Sequence, residues 1–439
     1  TATTEIYTLS LHDAFRSPAT LALAEVTSLI AREIPSSASS DDAVEAYSRA
    51  AREAAFAEAA PEFIDRLTAS LLRRFEEHVV RDELDTAAQY SQIAEDLYGL
   101  DASPPAVLHV QGRINWAQAD RMVADASAAA GREIDLGDLD PSTRVQAQRW
   151  YLHAGDYFRR HADAIAGDDD DAGYADSLWD SARMFDSAGD TTEAIASYIE
   201  FATTISDDPR LPEAEFHLAR AYQSIGQYDL AAQRYEALLE IANDPERGTG
   251  VGPFAVRSYV PLAETYLEDG DPSNDQRASD LLEAVIRGEA GGVDSDAFND
   301  ALTAMGMVHY YKADYPRAIE ALEESVARSA EPREQLRLKY LLADSYRLEA
   351  ESIRGTLGEG AIAPTVARSL ERTRESHLAR AIELFAQARD QAAATPEPRR
   401  TALEQIYLRN AHVYLGDCAF DLLVTIATMN CNGTLASMA

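Results

Sequence analysis

The chain of 439 residues carries 39 basic and 75 acidic side chains, a formal net charge of −36, and 46% of its residues are hydrophobic. That hydrophobic share is enough for a buried core and excludes wholesale disorder. The excess of carboxylates disfavours binding to nucleic acid and to anionic membrane surfaces, because phosphate binding needs Lys and Arg. Two cysteines cannot make a disulfide framework, and no apolar run reaches the length of a membrane span.

Residues 1–40 are predicted to be a lead-in outside the repeated part of the chain. Residues 4–14, which read Thr-Glu-Ile-Tyr-Thr-Leu-Ser-Leu-His-Asp-Ala, resemble the translation of a common sequencing-library adapter. We interpret them as an artefact without biological signal. The alternative is a short amphipathic lead-in to a helix near residues 21–30.

Residues 41–170 are predicted to be helical, with a weaker match to the hairpin pattern that follows. Residues 84–97 place small and apolar side chains on one helical face, as in the second helix of a hairpin, and residues 150–166 form another amphipathic stretch. We expect divergent repeats or a helical cap here, ending in an exposed acidic break at 168–171.

A hairpin pattern recurs from residue 174 to residue 422. In the clearest copy, 213–245, an apolar first helix is followed by a turn at Gly226 and by a second helix with Ala231 and Tyr235 four residues apart. The same order recurs at 176–209, 258–288 and 300–332, where Ala313 stands at the turn in place of glycine, and in a fifth copy from about residue 342. Each first helix has a small residue where its hairpin partner should touch it, namely Ala182, Ala219, Ala263, Gly306 and Ala343.

The fifth and sixth copies depart from this pattern. In the fifth, a long insertion separates the two helical motifs, and we predict two elongated helices joined near 355–363. The sixth is limited to 415–422, which reads as a first helix. The tail 423–439 is rich in Thr, Asn and Met, and a truncation or frame change near Leu423 would explain its atypical composition.

The ordered elements Leu-Ala-x-x-Tyr, Gly-x-Tyr, Ala-x-x-x-Tyr and Pro resemble the tetratricopeptide repeat, a helix–turn–helix unit of about 34 residues. The resemblance covers 174–422. It implies an all-α fold, a right-handed α-solenoid of helix–turn–helix hairpins, because one hairpin cannot bury its apolar face without its neighbours. It also implies that the first helix of each hairpin lines a concave groove that binds a protein or peptide.

Carrying the family's frame over predicts which residues line that groove. Arg183 and Arg220 occupy equivalent positions in neighbouring copies, each preceded by an aromatic residue one turn earlier, Trp179 and Phe216. Arg and aromatic side chains are common interface anchors, so we predict that these four residues form a docking patch. The alternative is that both arginines pair with carboxylates between repeats. The other predicted groove residues are Gln223, Met307, Tyr310, Tyr311, Tyr340 and Arg347.

No sequence motif indicates catalysis. The chain lacks a phosphate-binding loop with its Lys and lacks His-Glu-x-x-His. The acidic stretch 269–275 has Asn274 at the sixth position, where a calcium loop has its invariant glycine. We therefore predict no catalytic residue, no metal site and no cofactor.

The sequence thus predicts a non-catalytic scaffold or adaptor that binds a protein or peptide in a groove. The alternatives are an envelope-associated structural module and, less favoured, an enzyme on an α/α helical scaffold. The chain is expected to be soluble, in a bacterial cytoplasm or cell envelope, and its residues do not specify the compartment or the oligomeric state.

Overall fold

The computed structural model describes residues 40–56, 61–98, 102–131, 133–167, 171–205, 208–242, 252–290, 292, 295–358, 362–397 and 400–438, and the side chains of all of these except 40, 42, 53–56 and 425–438. Across these ranges it contains sixteen α-helices, one short 3-10 helix and no strand, which confirms the all-α prediction. The predicted adapter segment at 4–14 and most of the acidic break at 168–171 lie outside the described residues.

The chain divides into two compact units, unit 1 at residues 1–221 and unit 2 at residues 222–439. The described helices of unit 1 are α1 (Ser40–Phe56), α2 (Pro61–Val79), α3 (Leu84–Asp96), α4 (Pro105–Ala130), α5 (Pro141–Ile165), α6 (Asp171–Ala188) and α7 (Thr191–Thr204), with α8 (Leu211–Ser224) spanning the boundary. The described helices of unit 2 are α9 (Tyr228–Ala242), α10 (Gly252–Glu268), α11 (Asp275–Ile286), α12 (Asp296–Tyr311), α13 (Tyr315–Arg328), α14 (Pro332–Gly358), α15 (Pro364–Ala394) and α16 (Ala402–Met438).

Helices pack in chain order within each unit, as expected for stacked hairpins. In unit 1, α4 packs on α5, α5 on α6, and α6 on α7. In unit 2, the same succession runs from α9 to α16, and in addition the first helices α10 and α12, and α14 and α16, contact each other directly. Neighbour-on-neighbour packing of this kind is how helical repeats bury a core that no single hairpin could supply.

The small residues predicted at the hairpin contacts are all buried. Ala182, Ala219, Ala263 and Ala343 are 0% exposed. A Cβ atom added to the buried Gly306 would lie 2.7 Å from Cγ of Leu322 on the partner helix. These positions therefore fix how closely the two helices of a hairpin approach. The sequence reading missed two further contacts of this type, Gly112 against Phe158 and Gly155 against Phe185.

The predicted turns have the backbone conformation that glycine permits. Gly189, Gly226 and Gly270 have φ of 80°, 72° and 75°. At the equivalent turn, Ala313 has φ of 57°, its N–H donates to the carbonyl of Tyr310, and the following N–H donates to the carbonyl of His309. These are the bonds of a left-handed helix terminus, a conformation that is strained for a residue with a Cβ atom.

The fifth copy has the two elongated helices that were predicted, α14 and α15. The predicted start of the sixth copy is wrong. Its first helix begins at Ala402 instead of 415 and continues without a turn to Met438. A capping box starts it, since Thr401 N–H donates to the Glu404 carboxylate and Glu404 N–H donates to Thr401 Oγ1.

None of the helices in the described ranges combines the length and apolarity needed to cross a membrane.

Candidate functional site

The candidate site is the surface made by the first helices of the hairpins in unit 2. On α14, residues 337, 340, 344 and 347 follow one another at spacings of three and four, so they share one side of the helix. We call this surface the first-helix face of unit 2 and define it by Met307, Tyr310, Tyr311, Arg337, Tyr340, Asp344, Arg347, Tyr407 and Tyr414.

Asp344 is the centre of this face. The residue is only 5% exposed, and its two carboxylate oxygens accept from different partners. The Tyr310 hydroxyl on α12 donates to Oδ2 at 2.6 Å, and Arg347 Nε donates to Oδ1 at 2.7 Å. Burial, together with the bond to Asp344, raises the pKa of Tyr310. A buried carboxylate is stable only when it is paired, so this network holds α12 and α14 in a fixed relation.

A second set of contacts ties α14 to α16. The ring of Tyr340 lies on that of Tyr407 with centroids 4.5 Å apart, and Asn410 Nδ2 donates to the Tyr340 hydroxyl at 3.2 Å. The guanidinium of Arg347 lies 4.4 Å above the ring of Tyr414. Arg347 is therefore held both by a carboxylate and by an aromatic ring, which is the arrangement that makes arginine a rigid element of a surface.

The outer part of the face is exposed. Tyr311 is 79% exposed, and its ring packs edge-on against Tyr310 at 5.4 Å. Beside it, the half-buried Met307 lies with its sulfur 2.9 Å from Arg337 Nη2. An adaptable thioether next to a large exposed ring is typical of surfaces that bind apolar side chains.

Carboxylates lie next to these groups. Burial raises the pKa of Glu264 on α10, and so do the charges of Glu268 and Asp300, while Arg337 opposes this. Burial also raises the pKa of Asp300, with further contributions from Asp296 and Glu334. Like charges that disfavour one another in this way favour a cation nearby.

In unit 1, the two predicted aromatic anchors lie in the core. Trp179 is 6% exposed, and its ring packs against Tyr198 and Phe201 of the following helix at 6.0 Å and 5.5 Å. Phe216 is 3% exposed. Both rings fill the space between helices, which is a correction to the expectation that they face a partner.

The predicted arginines of unit 1 have different surroundings. The Arg183 guanidinium lies 5.5 Å above the ring of Trp116 on α4, and Arg220 is exposed. Near Arg183, burial raises the pKa of Asp180 to about 6, and the arginine's charge opposes the shift.

The predicted groove residue Gln223 lies in unit 2. Its side chain accepts a hydrogen bond from the Tyr235 hydroxyl of α9 at 3.2 Å, so it contacts its own hairpin.

Of the predicted residues, the structure brings Met307, Tyr310, Tyr311, Tyr340 and Arg347 together on one face. Sequence reasoning missed Tyr407, Asn410 and Tyr414, because the sixth first helix was placed too late in the chain. The capping signal Thr401-x-x-Glu404 was present in the sequence and would have set the correct start.

A cavity in unit 1 and the acidic loop at 269–275 are weaker candidates, because their polar groups are already hydrogen-bonded within the chain. An open cavity of about 630 Å³ in unit 1 includes Tyr174 and Asp208 in its lining, but the Tyr174 hydroxyl donates to Glu200 and Arg210 donates to both oxygens of Asp208. Among the side chains that the structure describes, no group of three His, Cys, Asp or Glu residues could hold a metal ion. In the acidic loop at 269–275, backbone and side-chain N–H groups of the loop itself donate to Asp269 and Asp271.

Comparisons with known proteins agree with a helical-repeat fold. Residues 216–249 match the family model of the tetratricopeptide repeat, which is the region of the clearest copy in the sequence. A search of the curated proteins gives no match.

Several solved structures are distantly similar. BtubC (BKLC) from P. vanneervenii is 19% identical, over 58% of this chain and 96% of its own, with a TM-score of 0.39. The apo form of RapI is 11% identical, over 81% and 98%, with a TM-score of 0.40. The TPR domain of P58(IPK) is 14% identical, over 90% and 98%, with a TM-score of 0.28.

Proposed function

We propose that this tetratricopeptide-repeat protein is a non-catalytic scaffold or adaptor, and that it binds a segment of a partner protein on the first-helix face of unit 2. The observation that carries the proposal is the exposed ring of Tyr311, 79% accessible, beside aromatic and charged groups that are already fixed by their neighbours.

The fixed network favours binding for an energetic reason. Ordering a flexible side chain at an interface costs about 0.5–1.5 kcal/mol. On this face Tyr310, Tyr340 and Arg347 are held by hydrogen bonds and ring contacts within unit 2 itself. A partner therefore meets a preorganised surface, and Tyr311 can bury a large ring against it.

The charges suggest the chemistry of the partner. Since Glu264 and Asp300 have pKa values raised by burial and by neighbouring carboxylates, a Lys or Arg of the partner would be stabilised beside them. The net charge of −36 would also attract a basic segment from a distance, and that attraction weakens as salt rises. We therefore propose a basic segment that carries at least one aromatic or aliphatic anchor.

The buried carboxylate of this face, Asp344, fits a structural role better than a catalytic one. A general acid or base needs a carboxyl group that can reach a substrate. Both oxygens of Asp344 already accept hydrogen bonds from Tyr310 and Arg347, so this group acts as a structural link between helices.

Peptide selection tests the proposal. Peptides would be selected on the full chain from a random display library, synthesised, and titrated by fluorescence anisotropy against the wild type and against Tyr311→Ala. We expect basic, anchor-containing peptides whose dissociation constant rises about tenfold or more in Tyr311→Ala, the loss of a typical interface hot spot. Binding should also weaken with added salt.

The matched control is Tyr228→Ala, a partly exposed tyrosine at the start of the second helix α9. This variant should bind the same peptides within about twofold of the wild type, as expected outside the hot spot. Equal affinities of the wild type and Tyr311→Ala for every selected peptide would refute the first-helix face as the binding surface.

A further inference from the structure

Three side chains recur at equivalent positions where one hairpin of unit 2 meets the next. A glutamate lies on a second helix, one residue after a buried core residue. A ring-bearing residue lies on the following first helix, three residues after the small residue of the hairpin contact. An arginine lies on the second helix of that hairpin, one residue before a buried alanine. We call each set a junction triad, and the three triads are Glu236, Tyr266 and Arg277; Glu283, His309 and Arg317; and Glu323, Tyr346 and Arg380.

The first triad ties three helices together through one carboxylate. The Tyr266 hydroxyl on α10 donates to Glu236 on α9, and Arg277 Nη2 on α11 donates to the same carboxylate at 2.6 Å. The Arg277 guanidinium also lies 4.7 Å above the ring of Tyr266. The tyrosine therefore bridges its own hairpin to the preceding one.

The third triad has the same tyrosine bond. The Tyr346 hydroxyl on α14 donates to Glu323 on α13 at 2.6 Å. Burial and this bond raise the pKa of Tyr346, and the charge of Arg380 opposes the shift, so the arginine lies close by. Since a tyrosine keeps its proton at neutral and mildly acidic pH, both outer triads hold their hairpins in the same way over that range.

The middle triad has a histidine where the others have tyrosine. The side chain of His309 on α12 is 19% exposed. Burial lowers the pKa of His309; among the charges, Asp314 and Glu283 oppose that shift, and Arg317 and Lys312 add to it. The middle junction therefore contains a group that changes its charge near neutral pH, which the outer two do not.

The two carboxylates near His309 are shared with arginines. Asp314 Oδ2 is 3.8 Å from His309 Nδ1, but it is also 3.7 Å from Arg317 Nε. Glu283 on α11 is paired with Arg287 of the same helix at 3.0 Å. A protonated imidazole would thus have no carboxylate of its own.

Charged groups on the neighbouring helices do not supply one either. Asp280 of α11 and Glu320 of α13 lie one turn from Glu283 and Arg317, but both are exposed, so solvent screens them. On α14, burial raises the pKa of Glu349, and the charge of Asp314 raises it further. The charged side chains of α10 lie about half a turn away from Tyr266, the equivalent of His309, and they are Arg257, Glu264 and Glu268.

We propose that His309 makes the middle junction of unit 2 a pH-sensitive joint, which loosens when the imidazole gains a proton. The charged ring would be partly buried beside Arg317 and Lys312, so the hairpin of α12 and α13 would pack less firmly on α11. Tyr310 and Tyr311 follow His309 directly and belong to the first-helix face. The joint would therefore also make the proposed binding pH-dependent, although it does not itself depend on that binding.

The direction of the effect follows from burial. The folded chain binds the proton of His309 less readily than the unfolded chain does. The contribution of His309 to stability is therefore complete above the ordinary pKa of histidine, about 6.5, and is lost as pH falls below it. Burial also lowers the pKa of His377, so the wild type has more than one source of pH dependence, and variants must be compared at the same pH.

Hydrogen exchange of the full chain, followed by mass spectrometry at about pH 7.5 and about pH 5.5, tests the joint. After correction for intrinsic exchange rates, we expect α12 and α13 of the wild type to be less protected at the lower pH. His309→Tyr, which restores the residue of the outer triads, and His309→Gln, which removes the titrating ring without adding bulk, should both keep their protection. His412→Tyr, at an exposed histidine of α16, is the matched control and should behave like the wild type.

A wild type whose α12 and α13 are equally protected at both pH values would overturn the proposal. An equal loss of protection in the wild type and in both His309 variants would also overturn it. These outcomes are separate from the peptide titrations with Tyr311→Ala, so the joint and the binding surface can fail independently.

The equivalence of the triads can be tested by moving the histidine. Tyr266→His should create a second pH-sensitive junction, seen as additional loss of protection in α10 and α11 at about pH 5.5. Circular dichroism at neutral pH would check that this variant keeps its helix content. Exchange in α10 and α11 that does not respond to pH in a folded Tyr266→His protein would contradict the role assigned to this position.

Discussion

Adding one methyl group at Gly306 should destabilise unit 2. The Cβ of Gly306→Ala would lie 2.7 Å from Cγ and 2.8 Å from Cδ2 of Leu322, well inside the 3.5–4.0 Å of a favourable carbon contact. Leu322 is 0% exposed, so it is enclosed by other side chains and cannot turn out into solvent. Overpacking of this kind costs about 1–3 kcal/mol. Since alanine regains about 1 kcal/mol of helix propensity over glycine, we expect a net loss of about 1 kcal/mol.

The same substitution at Gly355 is the control. Gly355 lies within α14, and an added Cβ there would meet nothing within 4 Å. Only the helix-propensity gain applies, so Gly355→Ala should stabilise unit 2 by about 0.5–1 kcal/mol. Urea denaturation followed by far-ultraviolet circular dichroism would compare both variants with the wild type.

The contact with Leu322 can be tested directly by a double-mutant cycle. Leu322→Ala opens a cavity, and the extra methyl of Gly306→Ala would partly fill it, so the double variant should lose less stability than the two single losses added together. Additive losses, or a Gly306→Ala protein as stable as Gly355→Ala, would refute the idea that helix approach is set at this glycine.

For substitutions at two other residues, Asp180 and Ala313, the direction of the stability change can be predicted. Burial raises the pKa of Asp180 to about 6, so the folded chain binds this proton more tightly than the unfolded chain, and the contribution of Asp180 to stability falls as pH rises from about 4 to about 6. Asp180→Asn should therefore raise the thermal midpoint of unit 1 at pH 7 and leave it nearly unchanged at pH 4. Equal shifts at both pH values would contradict the assignment. Ala313→Gly should stabilise unit 2 by about 0.5–1 kcal/mol in the same urea assay. Glycine relieves the strain of the left-handed backbone at φ of 57° in the folded state, and this gain exceeds the extra conformational entropy that glycine gives the unfolded state. Ala313→Val should instead be destabilising.

The features that the sequence could predict are those fixed within one hairpin. Glycine at the turn, an alanine where two helices touch and a proline after the second helix depend on steric rules that act over a few residues. Gly226 and Ala219 therefore have the turn conformation and the burial that were expected of them. Even Ala313 was identified as the turn position, because the pattern around it was intact.

The failures concern side chains whose surroundings depend on how hairpins stack. Trp179 was predicted to face a partner because it lies one turn before Arg183. A first helix in a repeat array is covered by its own second helix and by neighbouring hairpins, so more than one of its sides is apolar and helical periodicity cannot tell them apart. The contacts of Trp179 with Tyr198 and Phe201 show that this ring is used within its own hairpin.

The proposed binding face also depends on how the hairpins stack, and this affects the specificity that we propose for it. Tyr310 and Asp344 are 34 residues apart in sequence, and their 2.6 Å hydrogen bond exists only because α14 follows α12 in the stack. That bond and the one from Arg347 satisfy the carboxylate that would otherwise be the most expensive group to bury. We therefore expect the charge preference of the proposed face to come from Glu264 and Asp300, whose pKa values are raised by burial and further by neighbouring carboxylates. A basic side chain of a partner would relieve the repulsion among these carboxylates and leave the network of Tyr310, Asp344 and Arg347 in place. The network would then determine the shape of the binding surface, and the carboxylates beside it would select for a basic partner.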